Sequence, residues 1–146
     1  MNDLRIILIK LQTSLEELKP VLAEELNQLN QLQLNPVTLQ RLSDNKSRLL
    51  ATISFFEEQR KAKESELGII APYHQPLLTS LWESVLAIAR QNRELNMAIS
   101  PLLDLQMQKA LTLKNVVKKV SNTVALYSAD GTSQSDIKGK AYNINI

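Results

Sequence analysis

The strongest constraint on this chain is a ladder of aliphatic residues between Pro76 and Val120. Leu78, Leu81, Val85, Ile88, Leu95, Ile99, Leu102, Leu113, Val116 and Val120 follow alternating steps of three and four, with Asn92, Gln106 and Lys109 as polar breaks. That spacing keeps one apolar edge turned toward a neighbour and defines a heptad seam. As one helix, about 45 residues at ~1.5 Å each reach roughly 65 Å. So long an apolar edge needs partner helices, and the rest of the chain must supply them.

The remaining sequence has the composition to do so. A chain of 146 residues with 44% hydrophobic residues fits one domain with a core, while 4% aromatics and three glycines favour long helices over sheets. Leu4, Leu8, Leu11, Leu15, Leu18 and Leu22 repeat the spacing of a coiled-coil edge, beginning after Asn2 and Asp3, either of which can cap. Leu26 and Leu29 then follow an extra four-residue step, a stutter that relaxes a left-handed supercoil. Pro20 predicts a kink rather than a stop, because the leucines continue beyond it. Glu16, Glu17, Glu24, Glu25, Asn27, Gln28 and Gln31 are assigned to a solvated outer face.

Asn35-Pro36 combines a good cap with a good first helical residue, so a short connection starts a second, antiparallel helix there. Its seam carries Leu39, Leu42, Leu49, Ile53, Phe56 and Leu67, with Lys46, Arg60 and Lys63 in the same register. The dense charge from Glu57 to Glu66 predicts that this end projects beyond the bundle, and Gly68 suits a C-terminal cap. Ile69 to Gln75 is the main loop, from which Pro72 and Pro76 exclude helix, and Ile69, Ile70 and Tyr73 are expected to tuck onto the bundle end. His74, the only histidine, lies between those prolines; a phosphorelay histidine belongs within a helix, so His74 is read as a loop residue.

In the third helix, Asn92 with nearby Asn96 either fixes register or partner choice or belongs to a solvated polar patch. Trp82, one step off the seam, is expected to anchor the core or its rim. Ser100-Pro101 kinks the helix or splits it. Beyond it, Leu102, Leu103, Leu105, Met107, Leu111, Leu113, Val116 and Val117 spread over more than one face, so this segment is either central or exposes a binding patch. Lys109, Lys114, Lys118 and Lys119 make it locally basic, without the interleaved aromatics that favour nucleic acid.

The fold class expected is therefore all-α. It is an antiparallel three-helix bundle or coiled coil of long helices spanning 1–120, with helices at about 3–34, 36–67 and 76–120. A flexible tail follows at 121–146, where polar residues surround sparse apolar ones such as Leu126, Tyr127, Ile137 and Tyr142. Such a string either orders on a partner or frays. No secretory signal or membrane-length apolar run is read from the sequence, so no membrane insertion is expected, and the lack of Cys permits a reducing cytoplasm. Net charge +2 with mixed signs demands no nucleic acid. With no Cys, one His and scattered Gly, no catalytic, metal or cofactor pattern emerges, and no enzyme is expected.

The run Leu126-Tyr127-Ser128-Ala129-Asp130-Gly131, the Lys138-Gly139-Lys140 step and the closing Asn143-Ile144-Asn145-Ile146 resemble the C-terminus of the FlgN family of flagellar export chaperones. A looser likeness covers most of the chain, through Leu39–Leu50 with Lys46-Ser47, the Glu57-Glu58-Gln59-Arg60 cluster and Arg93-Glu94-Leu95-Asn96. The resemblance implies a cytoplasmic chaperone of flagellar type III export whose clients are hook–filament junction proteins, held by their C-terminal helical segments. It implies client binding from Leu102 through Val120. It implies docking to the cytoplasmic domain of the export-gate membrane protein through Leu126, Tyr127, Asp130 and Gly131. The competing expectation from the seam alone is a coiled-coil structural or adaptor protein that self-associates, with a homodimer as its signature.

Overall fold

A computed structural model of the chain describes residues 2–127, with side chains through 123. Three helices account for it: α1 (Asn2–Leu29), α2 (Pro36–Leu67) and α3 (Pro76–Tyr127). Among the described residues there is no strand, and the all-α fold class stands as predicted.

The leucine ladder of α1 is the strip on which the other two helices lie. Leu4 and Leu8 pack with Tyr73 and Leu78, Leu11 and Leu15 with Val85, and Leu18, Leu22 and Leu29 with Leu39, Leu49 and Ile99. Helices α1 and α3 therefore run in step, parallel to one another. α2 runs the other way, with Lys63 reaching Asp3 at one end and Lys46 reaching Glu25 toward the other. Seven leucines of α1 (Leu4, Leu8, Leu11, Leu15, Leu18, Leu22 and Leu29) are buried. Each contributes on the order of 2 kcal/mol of transfer free energy.

Three expectations about α1 are corrected. The ladder contains no stutter, because Glu25 fills the heptad position between Leu22 and Leu29. Glu25 is not on the solvated face but is 0% exposed. The helix passes through the exposed Pro20 and ends at Leu29, short of 34. There the backbone N–H and the Nδ2 of Asn30 both donate to the Leu26 carbonyl, at 3.2 and 3.1 Å, closing the last turn. Asn35 caps α2 through its side-chain oxygen, which accepts from the Thr38 N–H at 3.2 Å. At the other end Gly68 takes φ 69° and donates to the carbonyls of Glu64 and Ser65, a left-handed cap that glycine adopts without steric cost.

The charged end of α2 does not project. Arg60 is buried, pairs with Glu57 and Glu64, donates to the Tyr73 hydroxyl at 3.3 Å, and lies 4.6 Å from the centre of the Trp82 ring. Glu64 in turn accepts from the Ala71 N–H at 2.7 Å, tying the loop to the helix. Every charge here has a partner, which is what allows the end to pack. Trp82 is the half-buried anchor of this end, edge-on to Tyr73 at 5.6 Å.

The element that projects is α3. It is one helix through Pro101 and runs to Tyr127, past the expected end at Val120, so residues 121–127 are helical. Leu102 and Leu103 still pack against the core cluster above Leu29. Beyond them about 24 residues, or ~36 Å at 1.5 Å per residue, extend past the end of α1.

Candidate functional site

The uncovered length of α3 is the candidate site, built by a simple mismatch. α1 and α2 have 28 and 32 residues, whereas α3 has 52, and all keep a similar rise. The heptad ladder of α3 does not stop where its partners do. Ile99, at 0% exposure, is the last fully covered rung, while Leu113, Val116 and Val120 are 53%, 50% and 56% exposed. Leu105, Met107 and Leu111 are exposed as well, and Leu102, Leu103 and Val117 are half-buried. All eight residues singled out for client binding thus lie on one segment, with Leu102 and Leu103 at its root. Val120 belongs with them, and its place on the ladder was the signal for it.

Helical geometry arranges this segment further. At 3.6 residues per turn, Leu102, Leu105, Leu113, Val116, Val117 and Val120 form one stripe, and Leu103, Met107 and Leu111 extend it sideways near the bundle. Lys109 lies within the stripe as a polar break, Lys119 stands just outside one edge, Lys114 on the shoulder beyond the other, and Lys118 on the back of the helix. All four are exposed, and among the described residues none has an ion-pair partner. Asp104 falls on the far side with Asn115 and Asn122. The segment is thus a bare apolar stripe of helical spacing on a helix that outruns its partners.

The other residues singled out are placed differently. Asn92 is buried and its Nδ2 donates to the Leu15 carbonyl at 2.9 Å, joining α3 to α1 of the same chain. The Asn96 Oδ1 accepts from Lys46 at 3.3 Å, and Lys46 also holds Glu25 at 3.1 Å, so one polar layer crosses all three helices. Both asparagines lie on the stretch of α3 that packs on the other helices, Asn92 buried and Asn96 exposed, away from the bare stripe. Leu126 and Tyr127 fall in the last turn of α3, beyond the described side chains, and Asp130 and Gly131 lie outside the described residues.

The opposite end is closed. Its titratable groups are held by one another. Arg60 is kept protonated more firmly than usual by its bond to Glu57, against the opposing effect of burial. Lys63 is raised by its bonds to Glu66 and Asp3. Burial raises the Tyr73 phenol, and the bond from Arg60 opposes that shift. A pocket of about 310 Å³ opens beside the loop, lined by residues including Ile69, Ile70, Tyr73 and the exposed His74. It is at the small end of ligand-sized clefts and brings no nucleophile and base together. Among the described residues no group of side chains is set to hold a metal, and no helix is long and apolar enough to cross a membrane.

Sequence comparison supplies the context. The chain is 32% identical over 145 residues to the flagella synthesis protein FlgN of Salmonella typhimurium, covering 99% of this chain and all of that protein. It is 30% identical over 118 residues to the flagella synthesis protein FlgN of Yersinia enterocolitica, covering 80% of each. To that of Escherichia coli it is 25% identical over 139 residues, 95% of this chain and 96% of the other. No family model matches the chain, and no solved structure matches it.

Proposed function

Because this chain belongs to the FlgN family of flagella synthesis proteins, we propose that it is an export chaperone for hook–filament junction proteins. In this reading the C-terminal helical segment of a client lies along the stripe from Leu102 to Val120, and the chain delivers it to the type III export gate. The chaperone acts in the cytoplasm and needs no cofactor. The client's own apolar face would self-associate if left bare, and a matching helix in its groove prevents premature assembly. Leu126, Tyr127, Asp130 and Gly131 are the proposed contact with the cytoplasmic domain of the gate membrane protein. An aromatic with a polar tip at the end of a long arm suits a release-competent hot spot.

The single observation that carries this reading is the heptad ladder of α3 continuing, exposed, past the end of its partners. The test is binding of the junction proteins' C-terminal segments to the full chain and to Leu113→Asp. The wild type is expected to bind and Leu113→Asp to fail while remaining folded. Tyr127→Ala is expected to keep the client and lose the gate. Undiminished client binding by Leu113→Asp would remove the stripe from the mechanism. A tight self-dimer that binds no junction protein would replace the chaperone with a self-associating coiled coil.

A further inference from the structure

We propose that, when no other helix lies on the bare stripe of α3, a second copy of this chain covers it, the two overhangs running antiparallel. This goes beyond the reading of the stripe as the client surface and does not depend on it. Three observations carry it. The first is length. The seam below Leu102 is taken by α1, with Ile99 at 0% exposure, whereas Leu113, Val116 and Val120 are about half bare. A helix laid on them continues the line of α1 and must stop where α1 stops. A parallel second copy fails this condition, because its own α3 runs on into the place of α1. An antiparallel copy meets it. The two overhangs are equally long, so the tip of each ends near the root of the other and the two bundles lie at opposite ends.

The second is register. Counted in heptads, the seam continues through Gln106, Lys109, Leu113, Val116, Val120 and Thr123. The deepest antiparallel register that α1 permits sets residue 127 of one copy level with Leu102 of the other. Leu113 of each copy then faces Val116 of the other, and Gln106 faces Thr123, apolar to apolar and polar to polar. The third is charge. Lys109, the one cation within the stripe, falls opposite Val120, along which its methylenes lie while its ammonium reaches water. In a parallel pair the two Lys109 side chains would share one layer, which opposes that arrangement. Lys119, the flanking cation, comes beside Thr112, and Lys114 and Lys118 stand off the seam, so no lysine faces another. About 24 residues of each copy make an interface at the small end of specific ones, so a Kd on the order of 1–10 μM is expected and the dilute chain is a monomer.

The experiment is sedimentation equilibrium of the full chain from about 0.5 to about 100 μM. A monomer–dimer transition is expected within that range. Leu113→Asp should stay monomeric throughout and keep the helical content of the wild type, since the residue is 53% exposed in the single chain. Orientation is read by disulfide trapping, which a chain without cysteine of its own permits. A mixture of Leu113→Cys and Val116→Cys is expected to cross-link as the mixed dimer in preference to either variant with itself, because only the unlike pair is brought level. Ready cross-linking of Leu113→Cys with itself marks a parallel pair and overturns the proposal. So does a dimer that survives Leu113→Asp, because it must use another surface. A wild type that is monomeric even at about 100 μM overturns it too. If a junction-protein terminus binds that monomer but not Leu113→Asp, the stripe belongs to the client alone and the client reading stands. A terminus that binds the cross-linked dimer as tightly as the monomer leaves the pairing intact and moves the client off the stripe.

Discussion

Two stretches of this molecule exchange the places that their composition suggests. Residues 57–66 of α2 are dense in charge and yet pack into the bundle, while residues 105–120 of α3 are rich in Leu and Val and yet stand in solvent. The difference lies in partners. Arg60 finds Glu57, Glu64, Tyr73 and the face of Trp82 within reach, so its charge is buried without being orphaned. Leu113 and Val116 find nothing, because α1 and α2 are shorter than α3. Whether a residue is buried here depends on which groups the helix lengths bring beside it, more than on its own polarity.

The sharpest way to break this comparison is to orphan a buried charge. Lys46→Met leaves Glu25, at 0% exposure, without its cation, and the expected loss is about 3–5 kcal/mol in denaturant unfolding. The double variant Lys46→Met with Glu25→Leu should recover most of it, since an apolar pair of that volume orphans nothing. A double variant as unstable as the single one would mean that the layer does more than satisfy its own charges.

Next in size is a leucine exchanged at each end of the seam. Leu8→Ala removes a fully buried side chain of the closed end and should cost about 3 kcal/mol through lost transfer energy and the cavity left behind. Leu113→Ala, on the exposed overhang, should change stability by less than about 0.5 kcal/mol. Comparable losses at the two sites would show that the overhang is covered in the free protein. Arg60→Met sharpens the contrast from the charged side. It should cost about 2 kcal/mol, less than Lys46→Met because Glu57 is partly open to water and Glu64 keeps the Ala71 N–H.

Much of this was legible in the residues, and what was not has a physical cause. The spacing of Leu4 through Leu22, the cap at Asn35 and the left-handed Gly68 are local signals, and local geometry obeyed them. Glu25 was misread because its heptad position was judged by polarity, when the decisive fact was Lys46 on another helix, 21 residues away. Arg60 was misread in the same way, its partner Tyr73 lying beyond the loop. The end of α1 depended on two bonds of Asn30 to one carbonyl, a competition that periodicity does not register. As for the site, the apolar segment after Pro101 was recognisable, but not whether it was central or bare. That depended on the relative lengths of three helices, and α1 ended earlier and α3 later than the pattern indicated.

The smallest effect expected is a dependence on alkaline pH that belongs to the closed end alone. Burial raises the Tyr73 phenol above its ordinary value near 10, outweighing the bond from Arg60, so the folded chain holds this proton more tightly than the unfolded one. The stability contributed is fully present below the unfolded value and is lost as pH climbs through the folded one. Lys63, raised by Glu66 and Asp3, acts in the same direction. The two are separable because only one is a phenol. In Tyr73→Phe the tyrosine part of the alkaline decline should vanish and the lysine part remain, read as a shallower fall of Tm with pH above about 10. The overhang offers a control, because Leu113→Ala removes no titrating group and should leave the slope of the wild type unchanged. An unaltered slope in Tyr73→Phe would mean that Tyr73 meets water more freely than its place between Arg60 and Trp82 implies, and the closed end would be less closed than its contacts suggest.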